Sequence, residues 1–216
     1  MNILIDLDGT LTDSKRGIIA CIRHGLRSLG YEAPDESHLV KYVGPPLLQS
    51  FRAMLPPDKI SEAERALAAY RERFVAVGMF ENDVYAGIPD ALRALRDRGA
   101  RLFVATSKPE VYAKRILEHF ELAQFFEAIY GSELDGRLTE KTDLIAHVLA
   151  ESRLNRADTW MIGDRKHDAL GAVANGVRPI GVLWGYGSHD ELMSAGVETL
   201  LAVPGELAHL SFTRGN

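Results

Sequence analysis

The chain has one cysteine, Cys21, in 216 residues. A single thiol excludes an internal disulfide and fits a reducing compartment, so a cytoplasmic location is expected. Cys21 falls within an amphipathic pattern, which gives it a packing role rather than a reactive one. No hydrophobic run approaches the roughly 18 residues that a membrane-spanning helix needs, so no membrane partner is expected. A charged strand begins almost at the first residue, which is unlike a secretory leader. Basic runs are missing too, and the net charge is −5. Both features weigh against a nucleic acid polymer as partner. There is no internal repeat and no low-complexity segment. His24, His38, His119, His147, His189 and His209 have no neighbours at metal-ligand spacing. No feature assigns an oligomeric state.

What is present is 46% hydrophobic and 25% charged residues. That balance suits one sizeable core, or a core with a small appended module. Residues 2–7 read as a buried strand. Residues 14–29 then read as a helix, with Ile18, Ile19, Ile22 and Leu26 on one face and Gly30 as its stop. Gly44-Pro45-Pro46 and Pro56-Pro57 break the chain around an apolar stretch at 47–55. Residues 59–77 carry Ala63, Ala66, Leu67, Tyr70, Phe74 and Val77 at helical spacing. No convincing strand lies between 14 and 80.

From Val84 the rhythm changes. Helices are expected at 88–98, 109–119, 141–152 and 166–175. Strands are expected at Arg101–Ala105, around 127–131, at 159–162 and from Pro179 to Leu183. Alternation of this kind indicates an α/β fold with a parallel sheet covered on both faces. The expected organisation is a Rossmann-like core from 1–13 and 82–216, with a helical insertion at 14–81 after the first strand. Ser211–Asn216 are expected to fray.

Ligands in such sheets bind beyond the carboxyl ends of the strands. The first strand ends in Asp6-Leu7-Asp8-Gly9-Thr10. Two carboxylates two residues apart lie on one side of a strand, and like charges this close repel unless a cation sits between them. The segment therefore reads as a hard-metal site, with a carboxylate nucleophile beside a carboxylate acid/base. The blander reading is a hairpin turn with a solvated aspartate. The strand 102–105 ends in Thr106-Ser107-Lys108-Pro109. A hydroxyl and free N–H groups there suit a phosphate oxygen, although a helix cap would use the same residues. Lys141 stands at the start of a helix, against the helix dipole, where a cation needs a reason. An exposed lysine is the plain alternative. The strand 159–162 ends in Gly163-Asp164-Arg165-Lys166-His167-Asp168, giving two further carboxylates. Asp164 reads as a third anionic ligand for Mg²⁺, which prefers oxygen, and His167 as no ligand. Asp168 is equally well placed as an acid in a helix's first turn. Trp160 reads as core.

These four segments, in this order, resemble the haloacid dehalogenase superfamily, in its phosphoglycolate phosphatase-like branch. Residues 6–14 look like the first motif, Thr106-Ser107-Lys108 the second, Lys141 the third and Gly163 through Asp168 the fourth. Lys141 departs from the pattern, being followed by Thr142 where proline is common. The segment 181–187, Gly-Val-Leu-Trp-Gly-Tyr-Gly, resembles the loop after the last core strand of that branch, and 42–47 a segment of its cap. The helical insertion looks like the family's mobile cap.

The resemblance implies a Mg²⁺-dependent phosphomonoester hydrolase acting on a small phosphorylated metabolite. Asp6 would attack phosphorus to form an aspartyl-phosphate. Asp8 would protonate the leaving oxygen and then activate water. Mg²⁺ would be held by the Asp6 carboxylate, the Asp8 main-chain carbonyl and the Asp164 carboxylate, with Asp168 supporting them. Thr106, Lys141 and backbone N–H groups near Gly9 and Ser107 would hold the transferring oxygens.

Asp8 argues against dehalogenation and phosphonate cleavage, whose branches lack that acid. A β-phosphoglucomutase-like isomerase would carry a histidine at position 18, where this chain has Ile18. A non-catalytic protein need not keep four clustered charges. Phosphoglycolate is the first expected substrate, and Lys15, Arg16, Lys41 and Arg52 are candidates to meet such an anion. Nucleoside monophosphates are the alternative. Relatives acting as 5′-nucleotidases carry an insert like Arg165-Lys166-His167, and Trp184 or Tyr186 could stack a base, although packing at the sheet rim is the plainer role for both.

Overall fold

A computed structural model describes residues 1–210; the fraying expected at Ser211–Asn216 lies outside the described residues. The strands are β1 (Asn2–Ile5), β2 (Thr12–Asp13), β3 (Asp83–Val84), β4 (Arg101–Pro109), β5 (Ala128–Ser132), β6 (Thr159–Gly163), β7 (Arg178–Val182) and β8 (Thr199–Leu201). The α-helices are α1 (Lys15–Arg27), α2 (Glu36–Leu39), α3 (Leu47–Met54), α4 (Ala63–Ala76), α5 (Ile88–Asp97), α6 (Glu110–His119), α7 (Lys141–Glu151), α8 (Lys166–Ala174) and α9 (His189–Ser194). The chain divides into two compact units, Met1–Thr12 with Val84–Asn216, and Asp13–Asp83. It passes between them at β2 and β3, which pair as a two-stranded sheet.

The larger unit is built on a six-stranded sheet in the order β5-β4-β1-β6-β7-β8. Every neighbouring pair in it is parallel. β1 is central, and Ile3, Leu4 and Ile5 have no exposed surface. Successive residues point to opposite faces, so both faces of the sheet are covered at β1. An apolar run without alternation is what such a strand requires. One buried cluster joins Leu4, Phe103 and Met161 of the sheet to Leu144, Ile145 and Val148 of α7 and Ala172 of α8. At the start of the strands, the Asn2 side chain donates to Thr159 Oγ1 at 3.2 Å and ties β1 to β6. The chain adds β4 and β5 on one side of β1, then crosses to add β6, β7 and β8 on the other. The carboxyl ends of β4, β1 and β6 therefore meet at the point where the order reverses, the usual place for a ligand.

The structure departs from the sequence reading at several points, β2 and β3 among them. β4 runs to Pro109 rather than stopping at Ala105, with an irregularity in its pairing to β5 between those residues. Pro109 consequently precedes α6 as an extended residue, with ψ 130°, instead of lying in its first turn. Beyond β7 the chain forms α9 and the edge strand β8, neither of which the sequence reading contains.

The smaller unit is helical. Ile22 and Leu26 of α1 are buried with Ala66, Tyr70 and Phe74 of α4 and Phe51 of α3. Of the spacing read for α4, Val77 is exposed and lies beyond the helix end. The Tyr70 ring stacks on Phe74 at 5.5 Å and meets Phe51 edge-on at 6.2 Å. Gly25 lets the helices approach closely, since a Cβ there would lie 2.6 Å from the Ala66 carbonyl oxygen. Cys21 is fully buried in this packing.

Candidate active site

Beyond Ile5 the backbone folds back on itself. The N–H groups of Leu11 and Thr12 both donate to the Leu7 carbonyl, at 2.9 and 3.0 Å, and Gly9 N–H donates to the Thr12 carbonyl at 2.8 Å. Gly9 has φ +86°, and a Cβ there would collide with the Asp164 carboxyl group. Glycine is therefore demanded by conformation and by space. The fold-back leaves Asp6 and Asp8 each 6% exposed at the end of β1, not on a solvated hairpin.

β6 ends beside β1 and delivers Asp164, which is fully buried. It caps no helix. Its Oδ2 accepts the Tyr186 N–H at 2.7 Å, and its Oδ1 accepts the Thr10 hydroxyl at 3.5 Å. The loop after β7 supplies that N–H. It fits only because Gly185 and Gly187 carry no side chain: a Cβ on either would strike Asp164. Trp184 closes the same loop by donating Nε1–H to the Thr10 carbonyl at 3.0 Å, a packing role.

Asp168, in the first turn of α8, is 3% exposed. Its Oδ2 accepts the Arg165 N–H at 3.2 Å, as a first-turn acid should, while its Oδ1 lies 2.6 Å from Lys141 Nζ. Lys141 begins α7 yet is itself only 6% exposed. It donates to Asp6 Oδ1 at 2.8 Å and to the Ala105 carbonyl at 2.7 Å. The lysine placed against its helix dipole is thus held by two carboxylates and a carbonyl of β4.

Thr106 and Ser107 do not cap α6, which begins at Glu110. Thr106 is 1% exposed, and its Oγ1 accepts the Lys108 N–H at 3.2 Å, which leaves the hydroxyl proton for another acceptor. The Ser132 hydroxyl holds the Ser107 carbonyl at 2.8 Å. Lys108 Nζ lies 2.9 Å from Asp8 Oδ2, and both side chains are buried. Asp8 Oδ1 is buried without a hydrogen-bond partner.

Ligand atoms of Asp6, Asp164 and Asp168 fall within 4.8 Å of one another, the one such group of carboxylate, histidine or cysteine ligands among the described residues. Burial, followed by the charges of Asp168 and Asp6, pushes the Asp164 carboxyl well above the usual carboxylate range. Burial also raises Asp168, against the relief that Lys141 provides. For Lys141, burial opposes the charge, but Asp168 and Asp6 more than offset it and hold the ammonium. His167 is lowered by burial and by Arg165 and Lys166, and stands outside the cluster. When all three are ionised, the carboxylates exceed the one ammonium by two negative charges, in a buried site whose candidate ligands are all oxygens. That donor set and charge fit a hard divalent cation.

The residues singled out in the sequence, Asp6, Asp8, Gly9, Thr106, Ser107, Lys141, Asp164 and Asp168, all lie in the larger unit. Sequence reasoning gave no role to the Lys108 ammonium or the Tyr186 N–H. The glycines at 185 and 187 were the available signal for the second; for the first, Lys108 stood in the second motif but its pairing with Asp8 did not show.

Residues 3–182 match the family model described as haloacid dehalogenase-like hydrolase. A 5′-nucleotidase of Pseudomonas aeruginosa is 51% identical over 191 residues, covering 88% of this chain and 86% of that protein. The tyrosine-protein kinase PtkA of Mycobacterium tuberculosis is 44% identical over 188 residues; the match covers 87% of this chain but only 64% of that protein. The crystal structure of a predicted phosphatase from Clostridium acetobutylicum superposes with a TM-score of 0.91 at 44% identity, covering 96% of both chains. The chain belongs to the haloacid dehalogenase-like hydrolases, as a phosphatase of that family.

Proposed function

We propose that the protein is a Mg²⁺-dependent phosphomonoesterase that works through an aspartyl-phosphate on Asp6. The observation that carries this reading is the Asp6–Asp164–Asp168 cluster around Lys141, with Asp8 beside it and one Asp8 oxygen unpartnered. Asp6 forms a bond to phosphorus as the ester P–O bond breaks, and the leaving oxygen takes a proton from Asp8. Asp8 then removes a proton from the water that attacks the aspartyl-phosphate, and Asp6 is regenerated. Lys141 orients Asp6 and offsets its charge, while Thr106 and the N–H groups at Gly9 and Ser107 bind the transferring oxygens. Asp6, the Asp8 main-chain carbonyl and Asp164 would hold the cation, with Asp168 fixing Lys141 behind them. Once bound, Mg²⁺ would neutralise charge so that an anionic nucleophile can approach an anionic phosphate.

We take the helical unit Asp13–Asp83 as the counterpart of the expected insertion at 14–81, and propose a cap role for it. Lys41 and Arg52 are exposed on it and available to an anionic substrate. A cytoplasmic location is supported by the lone cysteine. Phosphoglycolate was the first substrate expected from the motifs. The 51% identity to a protein named 5′-nucleotidase moves nucleoside 5′-monophosphates ahead of it. The mutase reading gains nothing, because position 18 is the buried Ile18 of α1. The test is phosphate release with Mg²⁺ from nucleoside monophosphates, phosphoglycolate, sugar phosphates and pyrophosphate, with and without a chelator. Turnover of one class that a chelator stops supports the reading; no turnover of any, or turnover indifferent to metal, overturns it.

A further inference from the structure

Lys108 belongs to neither the carboxylate cluster nor the phosphate-binding groups assigned above, yet it is a buried cation aimed at the site. Its ammonium lies 2.9 Å from Asp8 Oδ2, with the two side chains 6% and 8% exposed. The other oxygen, Asp8 Oδ1, is buried and unpartnered. The Lys108 N–H donates to Thr106 Oγ1 at 3.2 Å. Its own backbone is fixed from β5. A Cβ at Gly131 would sit 2.5 Å from the Lys108 carbonyl oxygen, and Ser132 holds the neighbouring Ser107 carbonyl at 2.8 Å. The irregular end of β4, between Ala105 and Pro109, is what turns residues 106–108 into this position.

We infer that Lys108 is a positioning residue for the acid/base Asp8, an inference that rests on the acid/base reading of Asp8 given above. A carboxyl group has two oxygens, and only one can face the ester oxygen productively. Lys108 engages Oδ2 and so directs the unpartnered Oδ1 toward the reacting phosphate ester. The proton that moves to the leaving oxygen as the P–O bond breaks, and the one taken from water in the second step, both travel through Oδ1. A cation bound to Oδ2 also stabilises the carboxylate that is left after the first transfer. In this role Lys108 acts through Asp8 rather than on phosphorus or the leaving group. Its loss should therefore be felt in proportion to how much the leaving group needs a proton.

The test compares kcat/KM, which reports formation of the aspartyl-phosphate, on two esters: the best alkyl phosphate of the panel and 4-nitrophenyl phosphate. An alkoxide needs protonation to leave; nitrophenolate scarcely does. Asp8→Asn is run alongside. For Lys108→Met, kcat/KM on the alkyl ester should fall roughly tenfold or more, within the range of general acid catalysis, and that on the nitrophenyl ester by far less. Asp8→Asn should show the same asymmetry, more strongly. Equal losses on both esters in Lys108→Met, with asymmetry kept in Asp8→Asn, would overturn the role given to Lys108 alone. Equal losses in Asp8→Asn would overturn the acid/base reading itself. If Lys108→Met does not fold, judged by circular dichroism, the same comparison on Lys108→Gln decides.

Discussion

Lys141 is the residue on which the buried charges depend. It is ion-paired to Asp6 and Asp168 at 2.8 and 2.6 Å with almost no exposure. Removing one partner of a buried pair typically costs about 3–5 kcal/mol, because the remaining charge is left uncompensated. Lys141→Met should therefore lower the unfolding temperature markedly and abolish activity, and added Mg²⁺ should restore part of the lost stability by supplying positive charge. Thermal unfolding with and without the metal checks this; an unchanged melting temperature would contradict it. Gly185 supports a second expectation. A Cβ there would strike both the Gly9 carbonyl oxygen and Asp164, so Gly185→Ala should displace Asp164 and weaken Mg²⁺ binding, measurable by calorimetry. The aspartates were legible in the sequence because a carboxylate at the end of an apolar strand is costly to bury unless a cation or a ligand compensates it. The Lys108–Asp8 pair and the Tyr186 N–H on Asp164 were not, because each joins segments that only the folded sheet brings together.

Elements were legible where they were long. α1, α4, α5 and α7 each carry enough turns for their apolar face to show. α9 and β8 were missed because six residues and three residues are too short for either period to register, and α9 opens on the polar run His189-Asp190-Glu191. Short does not mean idle. Leu192 of α9 is 1% exposed and packs with Ala169 of α8, Ala195 and Val197. Leu192→Ala should cost about 2–5 kcal/mol in chemical denaturation, the range for emptying a buried leucine site. A loss under about 0.5 kcal/mol, the size of an ordinary surface substitution, would show that α9 is not part of the core. The end of β4 was misjudged for a different reason. Pro109 normally suggests a helix's first turn, but pairing with Ser132 of β5 keeps it extended, and tertiary pairing outweighs that local preference.

Across the whole molecule the site couples stability to pH and metal. Asp164 and Asp168 titrate higher in the folded chain than an ordinary aspartate, chiefly through burial. The unfolded chain gives up these two protons first, so at Asp164 and Asp168 the metal-free folded chain holds more protons than the unfolded one. Stability from these two groups is present below the unfolded value, near 4, and declines as pH rises from there through their raised folded values. A divalent cation that binds the ionised cluster reverses the decline. The increase in melting temperature on adding Mg²⁺ should accordingly be small near pH 4 and grow toward pH 7; a pH-independent increase would contradict this linkage. The parallel sheet explains why these acids converge: β1 delivers Asp6, β6 delivers Asp164 and α8 carries Asp168, each element fixed by the hydrophobic core.

The central claim is that Asp6 is the nucleophile, and one measurement bears on it most directly. Phosphate release by Asp6→Asn is compared with wild type on the best substrate, with Mg²⁺ saturating and the fold verified. The account predicts a fall of roughly three orders of magnitude or more, as for loss of a nucleophile elsewhere. An Asp6→Asn enzyme that kept a tenth or more of the wild-type rate would contradict it.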